Sequence, residues 1–150
     1  MEVNFNSMKK PAIPDKWYNI LSDLPVDLPA EMENETKKSI SMMSAIRPKE
    51  LSKQDVNKEK FIQIPDEVMD NFYQLGRPTP LMRATKLEQY LDTPAEIYIK
   101  REDVLPTHSF KINSAIAQAY YAKKEGFEGT VSESGAGQWG LALSYASSVF

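Results

Sequence analysis

Along 111-KINSAIAQAYYAKKEG-126 the apolar positions Ile112, Ala115, Ile116, Ala119 and Tyr120 recur every three or four residues, one stripe of a helix. The spacing predicts a helix closed by Gly126, and its small residues predict a close approach to a neighbouring layer. The segment 65-PDEVMDNFYQLG-76 has the same period. Val68, Met69, Phe72, Tyr73 and Leu75 supply its buried face. Pro65 suits a first-turn position, Asp66 and Glu67 complement the positive end of the dipole, and Gly76 stops it. Then 77-RPTPL-81 holds two prolines that fix the backbone into a stiff connection. A short helix is predicted at 86-KLEQYL-91, with Thr85 and Glu88 spaced as a capping box and 92-DTP-94 turning the chain.

The remaining pattern changes period. A strand is predicted over 95-AEIYIKRED-103, a loop over 104–110, and a second strand over 129-GTVSE-133, which leads through a Gly-rich turn into a third helix still running at Phe150. Strand, helix, strand, helix is an α/β unit, with a parallel sheet, flanking helices and right-handed crossovers. Its loops after the strands open on one edge. Residues 1–64 are rich in Pro and charge and carry the apolar anchors Trp17, Tyr18, Ile20, Leu21 and Leu24 before the turn-prone 25-PVDLP-29. They predict an N-terminal arm laid over a core, with the α/β domain starting at 65 and running to 150.

Composition narrows the function classes. With 150 residues, 41% hydrophobic and 26% charged, the chain has the make-up of a globular protein. No apolar run approaches the roughly 20 residues needed to cross a bilayer, and the opening residues lack the apolar core of a secretory signal, so a cytoplasmic location is expected. The absence of cysteine removes a disulfide framework, a Cys nucleophile and Cys-based zinc sites. His108 is the single histidine, so no multi-His metal site is expected. A net charge of −3 argues against a nucleic-acid surface. The pairs Lys9-Lys10, Lys37-Lys38 and Lys123-Lys124 have acidic neighbours and are expected to be solvated surface.

The predicted edge carries the candidate chemistry. Lys111 opens the helix after the first strand, and Glu133 closes the second strand one βα repeat later, both where open α/β sheets bind ligands. A sheltered lysine can lose its proton and form a Schiff base, while a carboxylate can move protons. Downstream, Gly135, Gly137 and Gly140 have the G-x-G-x-x-G spacing of dinucleotide sites. Glu133, two residues before Gly135, would repel incoming phosphates. The same N–H donors suit a smaller anion, such as the α-carboxylate of an amino acid, with Ser134 and Gln138 adding side-chain hydrogen bonds.

The stretches 76-GRPTPL-81, 100-KREDVLPTHSFKIN-113 and 132-SESGAGQWG-140 resemble, in order and spacing, the β chain of tryptophan synthase. Ser-Phe-Lys-Ile-Asn and Gln-Trp-Gly, after an opening Trp-Tyr-Asn-Ile, resemble the second, archaeal-type class of that family. The resemblance covers about residues 16–150. It implies a fold-type II pyridoxal-phosphate enzyme, a lyase that joins L-serine and indole to give L-tryptophan and water. It implies that Lys111 carries the cofactor as a Schiff base and moves protons at Cα. By the same resemblance Glu133 protonates the leaving serine hydroxyl and helps deprotonate indole. Ser134, Gly135, Ala136, Gly137 and Gln138 would hold the substrate carboxylate, with Trp139 adjoining and Gln138 also near the cofactor. Asn113 would lie beside the cofactor ring, with Ser109 and Phe110 flanking the lysine on its phosphate side. A homodimer and a possible tryptophan synthase α chain are the partners implied.

Phe110 and Trp139 stand where the commoner class has histidines, which opens the acceptor preference and α-chain docking to difference. His108 could approach the cofactor phosphate or serve the loop. Tyr120 and Tyr121 are expected to pack, and Arg77, Glu102 and Asp103 to tie loops together. The family's Gly-Gly-Gly-Ser phosphate cradle does not occur in this chain, and 142-ALSYASSVF-150 has a helical pattern without a C-cap, so the N-terminal portion of a longer enzyme is expected. Serine or threonine deamination on the same fold, a non-catalytic binding module and, more remotely, a dinucleotide-dependent oxidoreductase stay open.

Overall fold

Trp17, one of the predicted anchors of the arm, sits in a three-residue strand, β1 (Lys16–Tyr18), that pairs antiparallel with β2 (Phe61–Gln63), Trp17 opposite Ile62. The computed structural model describes residues 13–26 and 45–150. Asn19 holds the arm locally: its side-chain oxygen accepts from the Leu21 N–H at 3.1 Å, capping a 3-10 turn over Ile20–Asp23, and its amide donates to the Glu59 carbonyl at 3.0 Å. Between the two strands lies α1 (Lys49–Val56). The pairs Lys9-Lys10 and Lys37-Lys38, and residues 27–29 of the predicted turn, lie outside the described residues. Trp17 is partly buried against the core, whereas Tyr18 and Ile20 are exposed.

Helix α2 (Asp66–Gln74) begins directly after Pro65, and Gly76 leaves it with φ +82°, a left-handed turn that a side chain would strain. Val68, Phe72 and Leu75 are buried, as the stripe requires. Helix α3 (Thr85–Tyr90) forms, but the capping box does not: its N-cap is Ala84, with no side-chain cap. The Glu88 carboxylate has a stronger set of partners. It accepts from Arg83 Nε at 3.1 Å and from the Ile97 N–H at 2.7 Å, and these are charge-assisted bonds.

The predicted strand over 95–103 is shorter, β4 (Tyr98–Lys100), and pairs antiparallel with β3 (Leu81–Arg83), Met82 opposite Ile99. The Ala84 N–H to Ile97 and Arg101 N–H to Pro80 bonds, 2.8 and 2.9 Å, extend this ladder at each end. The second predicted strand is not formed. Residues 129–133 are in no strand, and Val131 is fully exposed. The parallel sheet is therefore absent among the described residues, whose strands make two separate two-stranded antiparallel sheets. A parallel strand is stable where both faces are covered and further strands pair with it, and 129–133 has neither.

The helices form the core. In α4 (Lys111–Lys124) Ile112, Ala115, Ile116 and Ala119 are buried, and Gly126 follows with φ +83°. Tyr121 is buried too, its hydroxyl accepting from Gln54 at 3.2 Å. Lys123 and Lys124 are exposed in the last turn, complementing the negative end of the dipole. In α5 (Gln138–Val149) Ala142, Leu143 and Ala146 are buried. These alanines let α4 and α5 lie close, and α2 packs on α4 from another side. Gln138 meets Lys111 at one end, and the rings of Phe150 and Tyr120 are 5.7 Å apart at the other, so α4 and α5 run parallel. Their N-termini are consequently neighbours. Among the described residues no helix is long and apolar enough to cross a membrane.

Candidate active site

Lys111 is the first residue of α4, half-buried at the end of the helix that faces the start of α5. Its Nζ donates to Gln138 Oε1 at 3.0 Å and lies 4.9 Å from the centre of the Phe110 ring. Buried Ser109 accepts the Lys111 backbone N–H on its Oγ at 3.3 Å, which fixes the start of the helix. The amine thus has a neutral amide and an aromatic face for company, and among the described residues no carboxylate pairs with it.

The loop before α4 is braced from outside. His108 has φ +50° and its Nδ1 lies 2.8 Å from the Asp103 carbonyl, a loop-holding contact. Asp103 itself is engaged by Arg101 through two bonds of 2.7 Å, which hold its carboxyl below the usual range. Glu102 accepts from Arg77 and from the Thr79 hydroxyl, each at 2.5 Å. Burial pushes the Glu102 carboxyl up, but bonds from Thr79, Arg77 and Asn113 together with the Arg77 charge bring it down overall. Arg77, Glu102 and Asp103 tie loops together, as expected of them.

On the facing side, Gly137 precedes α5 with φ +87°, a conformation that excludes most side chains and turns the chain into the helix. Ser134 supplies the cap that Gly137 cannot: its Oγ accepts the Gly140 N–H at 3.1 Å. A Cβ on Gly140 would touch the Ser134 Cβ at 3.4 Å, an ordinary contact, and Gly135 has open space around it. The first N–H groups of α5 have no intrahelical acceptor, an arrangement suited to a small anion. Ala136 and Gln138 are exposed beside them, and Trp139 is half-buried against the core. Glu133 is exposed at the start of the loop, and no hydrogen bond joins it to Lys111 among the described residues. The structure thus brings Lys111 and Gln138 into contact, keeps Ser109 and Phe110 beside the lysine, and leaves the Glu133 carboxylate exposed.

Pyridoxal phosphate requires a primary amine, donors for anionic groups and hydrogen-bond partners for its ring. Lys111 supplies the first. The side-chain oxygens of Asn113 and Thr107 are buried without a partner. Buried polar atoms are ordinarily satisfied, so unpartnered ones at the start of α4 fit a site whose ligand completes them. Two residues with roles in this loop escape a reading of the sequence. Ser132 receives the Trp139 indole N–H, and the Thr107 hydroxyl is buried without a partner among the described residues, as are Asn113 Oδ1 and Arg77 Nε. The sequence offers only a hydroxyl on each side of Glu133 as a hint of the first.

Residues 72–150 match the family described as pyridoxal-phosphate dependent enzyme. The chain belongs to that family. Pyridoxal phosphate is accordingly the cofactor for which Lys111 and its neighbours are to be judged. The chain is 53% identical over 146 residues to tryptophan synthase beta chain 2 of Thermotoga maritima, an overlap of 96% of this chain and 34% of that protein. It is 54% identical over 136 residues to tryptophan synthase beta chain 2 of Pyrococcus furiosus, covering 89% of this chain and 30% of that one. A similar match, 53% over 137 residues, is to the protein of the same name from Methanothermobacter thermautotrophicus. The chain spans about a third of the length of these curated relatives.

Proposed function

We propose that the protein containing this chain is a pyridoxal-phosphate-dependent lyase, a tryptophan synthase β-type enzyme that joins L-serine and indole. The observation that carries this is the contact of Lys111 Nζ with Gln138 Oε1 at 3.0 Å, which sets a reactive amine against the start of an anion-binding helix. A β-replacement on an amino acid needs that pairing, because the amine must reach Cα while the α-carboxylate is held. Relatives more than 50% identical that carry the tryptophan synthase name support the choice of substrates.

When bound, pyridoxal phosphate supplies the electron sink for chemistry at Cα and Cβ. The chain's own residues do the rest. Lys111 holds the cofactor and moves the proton at Cα. Glu133 protonates the departing hydroxyl of serine and receives the proton lost by indole. The N–H groups of Gly135, Ala136, Gly137 and Gln138, with the Ser134 and Gln138 side chains, bind and orient the α-carboxylate. Trp139 walls the pocket, Asn113 offers its free oxygen to the cofactor ring, and Ser109 and Phe110 border its phosphate side. In this proposal residues 1–64 are an arm over an α/β catalytic domain that begins at 65, with fold-type II parallel strands completed by further chain. A homodimer, an α-chain partner and a cytoplasmic location belong to the same proposal.

The complete protein, supplied with cofactor, L-serine and indole, is expected to release L-tryptophan, measured by chromatography. Gln138→Ala is expected to raise KM for L-serine about tenfold, the worth of a hydrogen bond to a charged group, with a smaller change in kcat. Release of pyruvate from serine, or 2-oxobutyrate from threonine, with no tryptophan would replace the synthase by a deaminase of the same fold.

A further inference from the structure

Ser132 is exposed, belongs to no regular element, and precedes the carboxylate on which the proposed chemistry depends. Its hydroxyl is nevertheless used twice. It accepts the indole N–H of Trp139 at 2.7 Å and donates to the Glu133 backbone carbonyl at 3.0 Å. A hydroxyl has one proton and two lone pairs, and indole has a donor only, so the direction of both bonds is fixed. Trp139 is packed against the buried cluster that includes Ala142 and Ala146. A continuous path therefore runs from the core through the Trp139 ring to Ser132 and into the peptide of Glu133. On the other side of Glu133 the Ser134–Gly140 bond makes a second staple across the loop. The two staples bracket Glu133, whose carboxylate has no hydrogen bond or ion pair among the described residues.

We infer that Ser132 is a positioning residue, which with Trp139 ties the Glu133 backbone to the core so that its carboxylate is presented at a fixed place. This rests on the β-replacement chemistry proposed above and goes beyond it by giving Trp139 a second duty. Its polar edge is committed to Ser132, so the ring can offer a ligand only its apolar surface. Two consequences distinguish this from general support of the fold. Glu133 transfers protons while the Ser134–Gln138 stretch holds the carboxylate, so loosening Ser132 affects turnover more than substrate binding. And because Ser132 and Trp139 act as one unit, the loss of both is no worse than the loss of either.

The test uses the complete protein and the variants Ser132→Ala, Ser132→Thr, Trp139→Phe and the double Ser132→Ala/Trp139→Phe. Ser132→Ala is expected to lower kcat about fivefold, the worth of one hydrogen bond, with KM for L-serine within about twofold of wild type. Ser132→Thr, which keeps the hydroxyl, restores kcat, and the double variant matches Trp139→Phe. In cofactor-free protein the Trp139 indole N–H resonance, identified by its loss in Trp139→Phe, is expected to shift upfield and exchange faster in Ser132→Ala. An unchanged kcat in Ser132→Ala, additive losses in the double variant, or an unmoved indole resonance each overturn the inference. If wild type makes no tryptophan while the indole resonance shifts as expected, the synthase proposal falls. The link from Ser132 to the loop is then upheld by the resonance alone.

Discussion

Glu125 illustrates how one side chain can secure an element far away in sequence. Its two carboxylate oxygens accept the backbone N–H groups of Lys49 and Glu50, at 2.7 and 2.9 Å, capping α1 whose own N-cap position is Pro48. Those two bonds, from Glu50 and then Lys49, hold the Glu125 carboxyl below its ordinary range. A lowered folded-state pKa means that the support is complete above the unfolded value, about 4.3, and disappears as pH falls through the folded one. Glu125→Gln is therefore expected to flatten the acid limb of the stability curve below about pH 4.5, measured by circular dichroism during acid titration. An acid limb identical to wild type would contradict the cap. Nothing near Glu125 announces this role, because its partners are 75 and 76 residues away. Lys111 and Glu133 are different. Each stands at the end of a predicted element, and that place in the pattern singles them out from the other lysines and carboxylates. Thr85 and Glu88 show the opposite outcome, a correct spacing whose carboxylate is claimed by Arg83 and the Ile97 N–H.

Among the elements, the helices after residue 65 were legible and the strands only in part, since 98–100 formed within the expected 95–103 and 129–133 did not, while α1 within the arm was not foreseen. Helix hydrogen bonds are local, so the 3.6-residue stripe of α4 and its closing Gly126 state the element almost by themselves. The strand over 98–100 depends on Leu81–Arg83 for its ladder, and that partner lies in a proline-rich stretch that reads as a connection. For 129–133 the pattern asks for a partner that the described residues do not provide. The stripe also fixes where stability resides. Ile116 is fully buried at the centre of α4, within reach of the cores of α2 and α5. Ile116→Ala is expected to cost about 2–5 kcal/mol, the range for truncating a well-packed core side chain. Urea unfolding would measure it, with the midpoint falling and the m-value kept; a loss under about 0.5 kcal/mol would mean that the interface collapses around the gap or is loosely packed.

Taken as a molecule, the chain is a helical core, α2 on α4 on α5, flanked by two antiparallel ribbons, and the proposed chemistry sits where two parallel helices begin side by side. That arrangement explains why residues from two separate motifs meet: running α4 and α5 in parallel brings Lys111 to Gln138 without any contact between the motifs in sequence. It also explains why the site is open. The ribbon of β3 and β4 exposes Leu81, Met82 and Ile99, and Glu133 itself is exposed. The central claim is that Lys111 carries pyridoxal phosphate. It is tested most directly by the visible absorption of the complete protein with added cofactor, before and after borohydride, in wild type and Lys111→Ala. A visible band in wild type that moves when L-serine is added, is missing from Lys111→Ala, and on reduction leaves the cofactor fixed to the peptide containing Lys111 is the result predicted. A band of equal strength in Lys111→Ala, or a reduced cofactor on another lysine, would contradict it.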